Sequence, residues 1–145
     1  MRIVLDTNVI VSRFLSPAGA PAKVLDLWKK KGYFDVVVSE EILQEYARAL
    51  TYPHIQARHQ IPAREIETNI HTFSDIAILV VPTEQITIVK DDPDDNTFIA
   101  CALAGNAEYI VSGDRDLLTV RTYKGIRILT PATFLTLIEH EQKAA

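Results

Sequence analysis

The sequence predicts an α/β fold, a parallel sheet with helices on both faces. Two observations lead there. Short, uninterrupted apolar runs rich in β-branched residues recur along the chain, as strands buried on both faces require. Segments with helical apolar spacing lie between them, and strands that alternate with helices pair in parallel through helical crossovers.

Ile3-Val4-Leu5 is the first buried strand and ends at Asp6. Pro17 and Gly19 mark a loop, and Pro21 suits the first turn of a helix. Val24, Leu25, Leu27 and Trp28 give that helix an apolar face, Lys29, Lys30 and Lys31 form its C-terminal end, either solvated or free to contact phosphate, and Gly32 stops it. Val36-Val37-Val38 is the second strand. Ser39 caps a helix with Ile42, Leu43, Tyr46, Ala47 and Leu50 on one face, and Pro53 ends or bends it. A third helical segment opens at Ile61-Pro62 and carries Ile66, Ile70, Phe73, Ile76 and Ala77. Ile86-Thr87-Ile88-Val89 reads as a strand, with residues 78–81 competing for that role. Asp94 or Asp95 starts a helix through Phe98, Ile99, Ala102 and Leu103, closed by Gly105. Tyr109-Ile110-Val111 is a strand, residues 114–118 a helical turn, Ile126-Arg127-Ile128 the final strand, and Thr130-Pro131 the start of the last helix. One domain over residues 1–138 is expected, with 139–145 as a frayed tail; 145 residues suffice for one domain and a substantial core.

Composition narrows the function. Apolar residues make up 48% and charged residues 23%, ordinary values for a globular chain. The formal net charge of −4 offers no global attraction to nucleic acid, so such a role needs a local site. The charge is uneven. Residues 1–64 carry nine Lys/Arg and six Asp/Glu, residues 65–145 six and thirteen. Cys101 is the only cysteine, which excludes an internal disulfide, and it reads as a small core residue. No run approaches the roughly 20 apolar residues of a membrane helix, and the N-terminus lacks a signal-peptide pattern. The expectation is a cytoplasmic protein without a membrane partner.

Ligands of open parallel sheets bind beyond the carboxyl ends of the strands. Asp6 falls there after the first strand, and Asp114 and Asp116 follow Tyr109-Ile110-Val111 after Ser112-Gly113. Asp95 begins a helix just past residues 86–89, and Glu45 lies about two turns into the helix after the second strand, leaning back toward its N-terminal end. These acids come from four βα connections, so one pocket at the sheet edge would gather them. Like charges in one pocket raise one another's pKa, and a divalent cation compensates. Oxygen-only ligation favours Mg²⁺ or Mn²⁺, which can supply a water nucleophile for phosphodiester hydrolysis.

Each signal also has a plainer reading. An Asp after a strand is commonly a turn or cap residue. Asp91, Asp92 and Asp94 near Pro93 read as solvated charges, and Glu40 and Glu41 as first-turn partners of the helix dipole. Thr7 and Asn8 either steady Asp6 or a metal-bound water, or cap the following helix; Ser112 stands in the same relation to Asp114, and Asn96 positions substrate or caps. His54, His59, His71 and His140 share no ligand spacing and read as surface or packing residues, and no phosphate-binding Gly-rich motif occurs.

Together, Val4-Leu5-Asp6-Thr7-Asn8-Val9, Ser39-Glu40-Glu41 leading to Glu45, Asp92-Pro93-Asp94-Asp95-Asn96 and Ser112-Gly113-Asp114-Arg115-Asp116-Leu117-Leu118 resemble a PIN domain, with the motifs in family order over nearly the whole chain. The similarity is greatest to stand-alone, VapC-like toxins of toxin–antitoxin systems. The resemblance implies a three-layer α/β/α, Rossmann-like sandwich around a parallel five-stranded sheet, and Mg²⁺- or Mn²⁺-dependent ribonuclease chemistry. It places the catalytic acids on Asp6, Glu45, Asp95 and Asp114, with metal ligation by Asp6, Asp95, Asp114 and the more variable Asp116. Thr7, Asn8 and Ser112 match the polar neighbours. Glu41 shares a helix face with Glu45 at i, i+4 spacing and stays open as the helix acid. The implied partners are RNA, engaged as a single strand or loop, and an antitoxin protein; a homodimer is compatible.

Two rivals remain at this stage. A non-cleaving module could take a basic antitoxin side chain, or RNA, at the same acidic pocket. A phosphotransfer domain could use Asp6 as nucleophile, but a dehalogenase-like phosphatase wants a second Asp where Asn8 stands, and a receiver domain accepts phosphate after a later strand. If Asp6, Glu45, Asp95, Asp114 and Asp116 meet at one site, the remaining fifteen basic and fourteen acidic residues leave a nearly neutral surface.

Overall fold

In a computed structural model of the chain, residues 1–89 and 95–144 are described. Strand β1 (Arg2–Leu5) lies at the centre with Ile3, Val4 and Leu5 fully buried. Each such side chain stabilises the fold by about 1.5–3 kcal/mol relative to exposure. β1 pairs in parallel with β2 (Asp35–Val38) on one side and β4 (Tyr109–Val111) on the other. β2 pairs in parallel with β3 (Ile78–Leu79), and β4 with β6 (Ile126–Leu129). A two-residue strand, β5 (Thr122–Tyr123), closes the edge antiparallel to β6. The order among the described residues is β3-β2-β1-β4-β6-β5.

The helices are α1 (Thr7–Leu15), α2 (Ala20–Lys31), α3 (Glu40–Leu50), α4 (Pro53–His59), α5 (Ala63–Ile76), α6 (Asp95–Ala104), α7 (Arg115–Val120) and α8 (Pro131–Ala144). They complete a three-layer α/β/α arrangement. Trp28 of α2 and Tyr46 of α3 both meet the ring of Phe73 of α5 edge-on. Phe134 of α8 does the same to Phe34 and Tyr109. α6 packs against β1, β2 and β4. Among the described residues no helix is long and apolar enough to cross a membrane.

Local chemistry explains the boundaries. Ser39 caps α3 by accepting the Ile42 N–H at 3.3 Å. Gly32 ends α2 in the left-handed conformation, φ +62°. Gly105 follows α6 at a close approach to β2: a Cβ there would stand 2.3 Å from Val37 Cγ1, so the position favours glycine.

Four expectations change. The sheet has six described strands and an antiparallel edge, because Lys124 and Gly125, at φ +48° and +84°, form a two-residue hairpin turn without an Asn-Gly signal. The strand beside β2 is Ile78–Leu79, while residues 86–89 form none. The chain leaves α5 directly alongside β2, and the Val80 N–H extends that pairing to the Val38 carbonyl at 2.9 Å. Pro53 opens α4 after α3 has stopped at Leu50. The expected frayed tail is helical through Ala144, although its side chains leave the core after Ile138. Lys29, exposed at the end of α2 as expected, also lines a cleft with Arg13, where partial burial and then the neighbouring guanidinium push its pKa down. Asp91, Asp92 and Asp94 lie outside the described residues.

Candidate metal centre

β1 ends at Asp6, whose N–H donates to the Val111 carbonyl at 3.0 Å and so joins it to the end of β4. Asp6 Oδ1 accepts the Thr7 N–H at 2.7 Å and caps α1. Asp6 Oδ2 accepts the Ser112 hydroxyl at 2.5 Å, and Ser112 Oγ accepts the Asp114 N–H at 2.9 Å. One buried hydroxyl therefore fixes two acids, spending its single proton on Asp6 and a lone pair on the Asp114 backbone. Asn8 Oδ1 accepts the Gly113 N–H at 3.3 Å and ties the same loop to α1. Asp95 opens α6 beneath these strands. Asp6 and Asp95 are only 4% and 3% exposed.

The three side chains of Asp6, Asp95 and Asp114 each offer one carboxylate oxygen, and these oxygens lie within 4.8 Å of one another. They line a recess of about 280 Å³ together with Thr7, Asn8 and Glu45. Burial pushes the Asp6 carboxyl up to about 6; the Ser112 hydroxyl and Thr7 N–H oppose this, and the charges of Asp114 and Glu45 add to it. Thr7 Oγ1 is buried without a hydrogen-bond partner. A set of hard oxygen donors, one of them destabilised by its own charge, beside an unsatisfied hydroxyl fits a hydrated divalent cation of the Mg²⁺ or Mn²⁺ type.

The remaining expected residues separate. Glu45 lines this recess, whereas Glu41 and Asn96 line a larger one of about 440 Å³ that holds none of the three clustered aspartates. Asn96 clamps Val89, accepting its N–H and donating to its carbonyl, both at 2.9 Å. Asp116 is outside the cluster; its N–H donates to Asp114 Oδ1 at 3.0 Å in the first turn of α7. Cys101 is buried in the core, and burial pushes its thiol up to about 12, which leaves it protonated and unreactive.

Two features escaped the sequence reading. Tyr46, there only a member of an apolar face, donates its hydroxyl to the Leu5 carbonyl immediately before Asp6. Burial raises its pKa well above the usual phenol range, so it remains a donor. The signal available was that a buried Tyr needs a partner for its hydroxyl. His54, read as a surface or packing residue, lines the acidic recess with Tyr52. His59 is a packing residue as expected, bonded to the Leu50 carbonyl and accepting the Ile61 N–H.

A family model for the PIN domain matches residues 2–116. An uncharacterized protein of Methanocaldococcus jannaschii, MJ1680, is 30% identical over 121 residues, covering 83% of this chain and 76% of the relative. Among solved structures, PAE2754 from Pyrobaculum aerophilum aligns with a TM-score of 0.64 at 13% identity, covering 97% of this chain and 90% of the other. VapBC-1 from nontypeable Haemophilus influenzae aligns at 0.60 and 14%, covering 91% and 99%. VapBC2 from Rickettsia felis, solved bound to a DNA fragment from its promoter, aligns at 0.59 and 13%, covering 88% and 97%.

Proposed function

This chain belongs to the PIN-domain family, and from that premise we propose that it is a Mg²⁺- or Mn²⁺-dependent endoribonuclease, the toxin of a type II toxin–antitoxin pair acting in the cytoplasm. The observation that carries the reading is the convergence of Asp6, Asp95 and Asp114, from three separate connections, with carboxylate oxygens within 4.8 Å of one another. When bound, a divalent ion supplies Lewis acidity toward a phosphate oxygen and a water nucleophile at neutral pH.

The chain's own residues do the rest. Asp6, Asp95 and Asp114 would hold the ion, directly or through water. Ser112 keeps Asp6 and Asp114 in one frame, and Asn8 steadies the loop that carries Ser112. Glu45, on the wall of the recess, would orient the attacking water or a second ion. Asp116 serves the first turn of α7. The recess admits an exposed phosphodiester of a single strand or loop more readily than one within a paired helix. An antitoxin carrying an Arg or Lys could enter the same recess and block it by pairing with these acids.

Asp6→Asn tests the assignment. RNA cleavage with added Mn²⁺ is expected to fall by at least about 100-fold, and undiminished cleavage contradicts it. Binding of RNA or a protein partner without cleavage in any metal favours the non-cleaving module instead.

A further inference from the structure

The corner between α3 and α4 places two aromatic rings on the wall of the acidic recess. Tyr52 and His54 line it together with Asp6, Asp95 and Asp114. Their rings are nearly parallel, 15° apart in plane with centroids 6.2 Å apart. Tyr52 is 47% exposed and His54 is also exposed. Among the described residues, no hydrogen bond or ion pair involves either side chain, and the ring contact each makes is with the other.

The backbone beneath them is fixed. Thr51 Oγ1 donates to the Ala47 and Arg48 carbonyls, both at 3.0 Å. The Tyr52 N–H donates to the Ala49 carbonyl at 3.3 Å, and the Tyr52 carbonyl accepts from Ile55 and Gln56 at 3.0 and 2.8 Å. Pro53 stands at the first position of α4, where its fixed φ suits the helix start. The far end of α4 is tied down by His59, which bonds the Leu50 carbonyl at 2.8 Å and meets the ring of Phe14 on α1. A flat, exposed π surface on a rigid support needs little reorganisation to accept another flat group.

We propose that Tyr52 and His54 form a stacking subsite for an unpaired nucleobase of the RNA strand whose phosphate enters the aspartate recess. The subsite rests on the ribonuclease reading for its ligand. Every base has a π face, so stacking holds a strand without selecting its sequence. The neighbouring acids repel phosphates in the absence of a cation. A base contact therefore gives the chain a hold on RNA that does not depend on positive surface charge, in keeping with its net charge of −4.

The test uses the full chain and short single-stranded RNAs carrying the fluorescent base 2-aminopurine at successive positions. Binding is followed by fluorescence with Ca²⁺ present, and cleavage with Mn²⁺. The wild type is expected to quench 2-aminopurine at one or two positions. Tyr52→Ala is expected to abolish that quenching and weaken binding about 10-fold or more, with the effect on cleavage falling on KM rather than kcat. Tyr52→Phe keeps the ring and is expected to restore both, and His54→Ala to reduce quenching partially. Because Tyr52 is exposed, these variants are expected to melt with the wild type. Wild-type binding and quenching in Tyr52→Ala overturns the subsite even if cleavage is robust. Quenching that depends on Tyr52, without cleavage in any metal, supports the subsite and overturns the nuclease reading. A wild type that neither binds nor cleaves overturns both.

Discussion

Replacing Asp6 by Asn should relieve a strain that the metal-free protein carries at neutral pH. The free carboxyl titrates at 3.8, whereas in the folded chain burial pushes Asp6 up to about 6. The folded state therefore binds this proton more tightly than the unfolded state does. The resulting stability is complete below about pH 4 and is lost as pH rises through 6. Over the whole range it amounts to about 3 kcal/mol, and between pH 4 and 8 to roughly 2–3 kcal/mol. Asn does not titrate, so any constant cost of the substitution, such as altered bonds to Ser112 and Thr7, cancels in the pH comparison. Urea unfolding of both proteins in chelator is the assay. From pH 4 to 8 the stability difference should move in favour of Asp6→Asn by that amount, a midpoint displacement of about 1–2 M urea. Added Mn²⁺ should then stabilise the wild type more than the variant, because only the complete site binds the ion well. A difference that stays constant with pH, or moves toward the wild type, would refute the burial of an ionised Asp6.

Other expectations concern the supports of the site. Tyr46→Phe removes the hydroxyl donated to the Leu5 carbonyl. It should cost about 1–3 kcal/mol, readable as a lowered Tm. Gly105→Ala forces a Cβ against Val37 and should cost about 1–3 kcal/mol, with the double variant Gly105→Ala/Val37→Ala costing less than the sum of the two single substitutions. An additive double variant would show that the two side chains do not compete for space.

The centre of the fold was legible because β1, β2 and β4 are buried on both faces and carry uninterrupted apolar runs. The edges were less so. Residues 78–79 and 86–89 have similar β-branched character, and the place where α5 delivers the chain decides between them. β5 exists through pairing with β6 and a turn that lacks the usual residues. The acids Asp6, Asp95 and Asp114 were legible because strand ends and helix starts determine where they project. Glu45 and Glu41 share a face on one helix, and only packing assigns them to different recesses. Asn96 clamping Val89, Tyr46 holding the Leu5 carbonyl and Tyr52 beside the acids all depend on tertiary placement, for which local sequence carries no periodic signal.

Cleavage of a mixed RNA pool by the purified chain, compared in Mg²⁺, in Mn²⁺ and in chelator, bears most directly on the proposed activity. Discrete fragments in one or both metals and an intact pool in chelator are expected. A pool left intact in both metals, or cut equally well in chelator, would contradict a metal-dependent ribonuclease built on Asp6, Asp95 and Asp114.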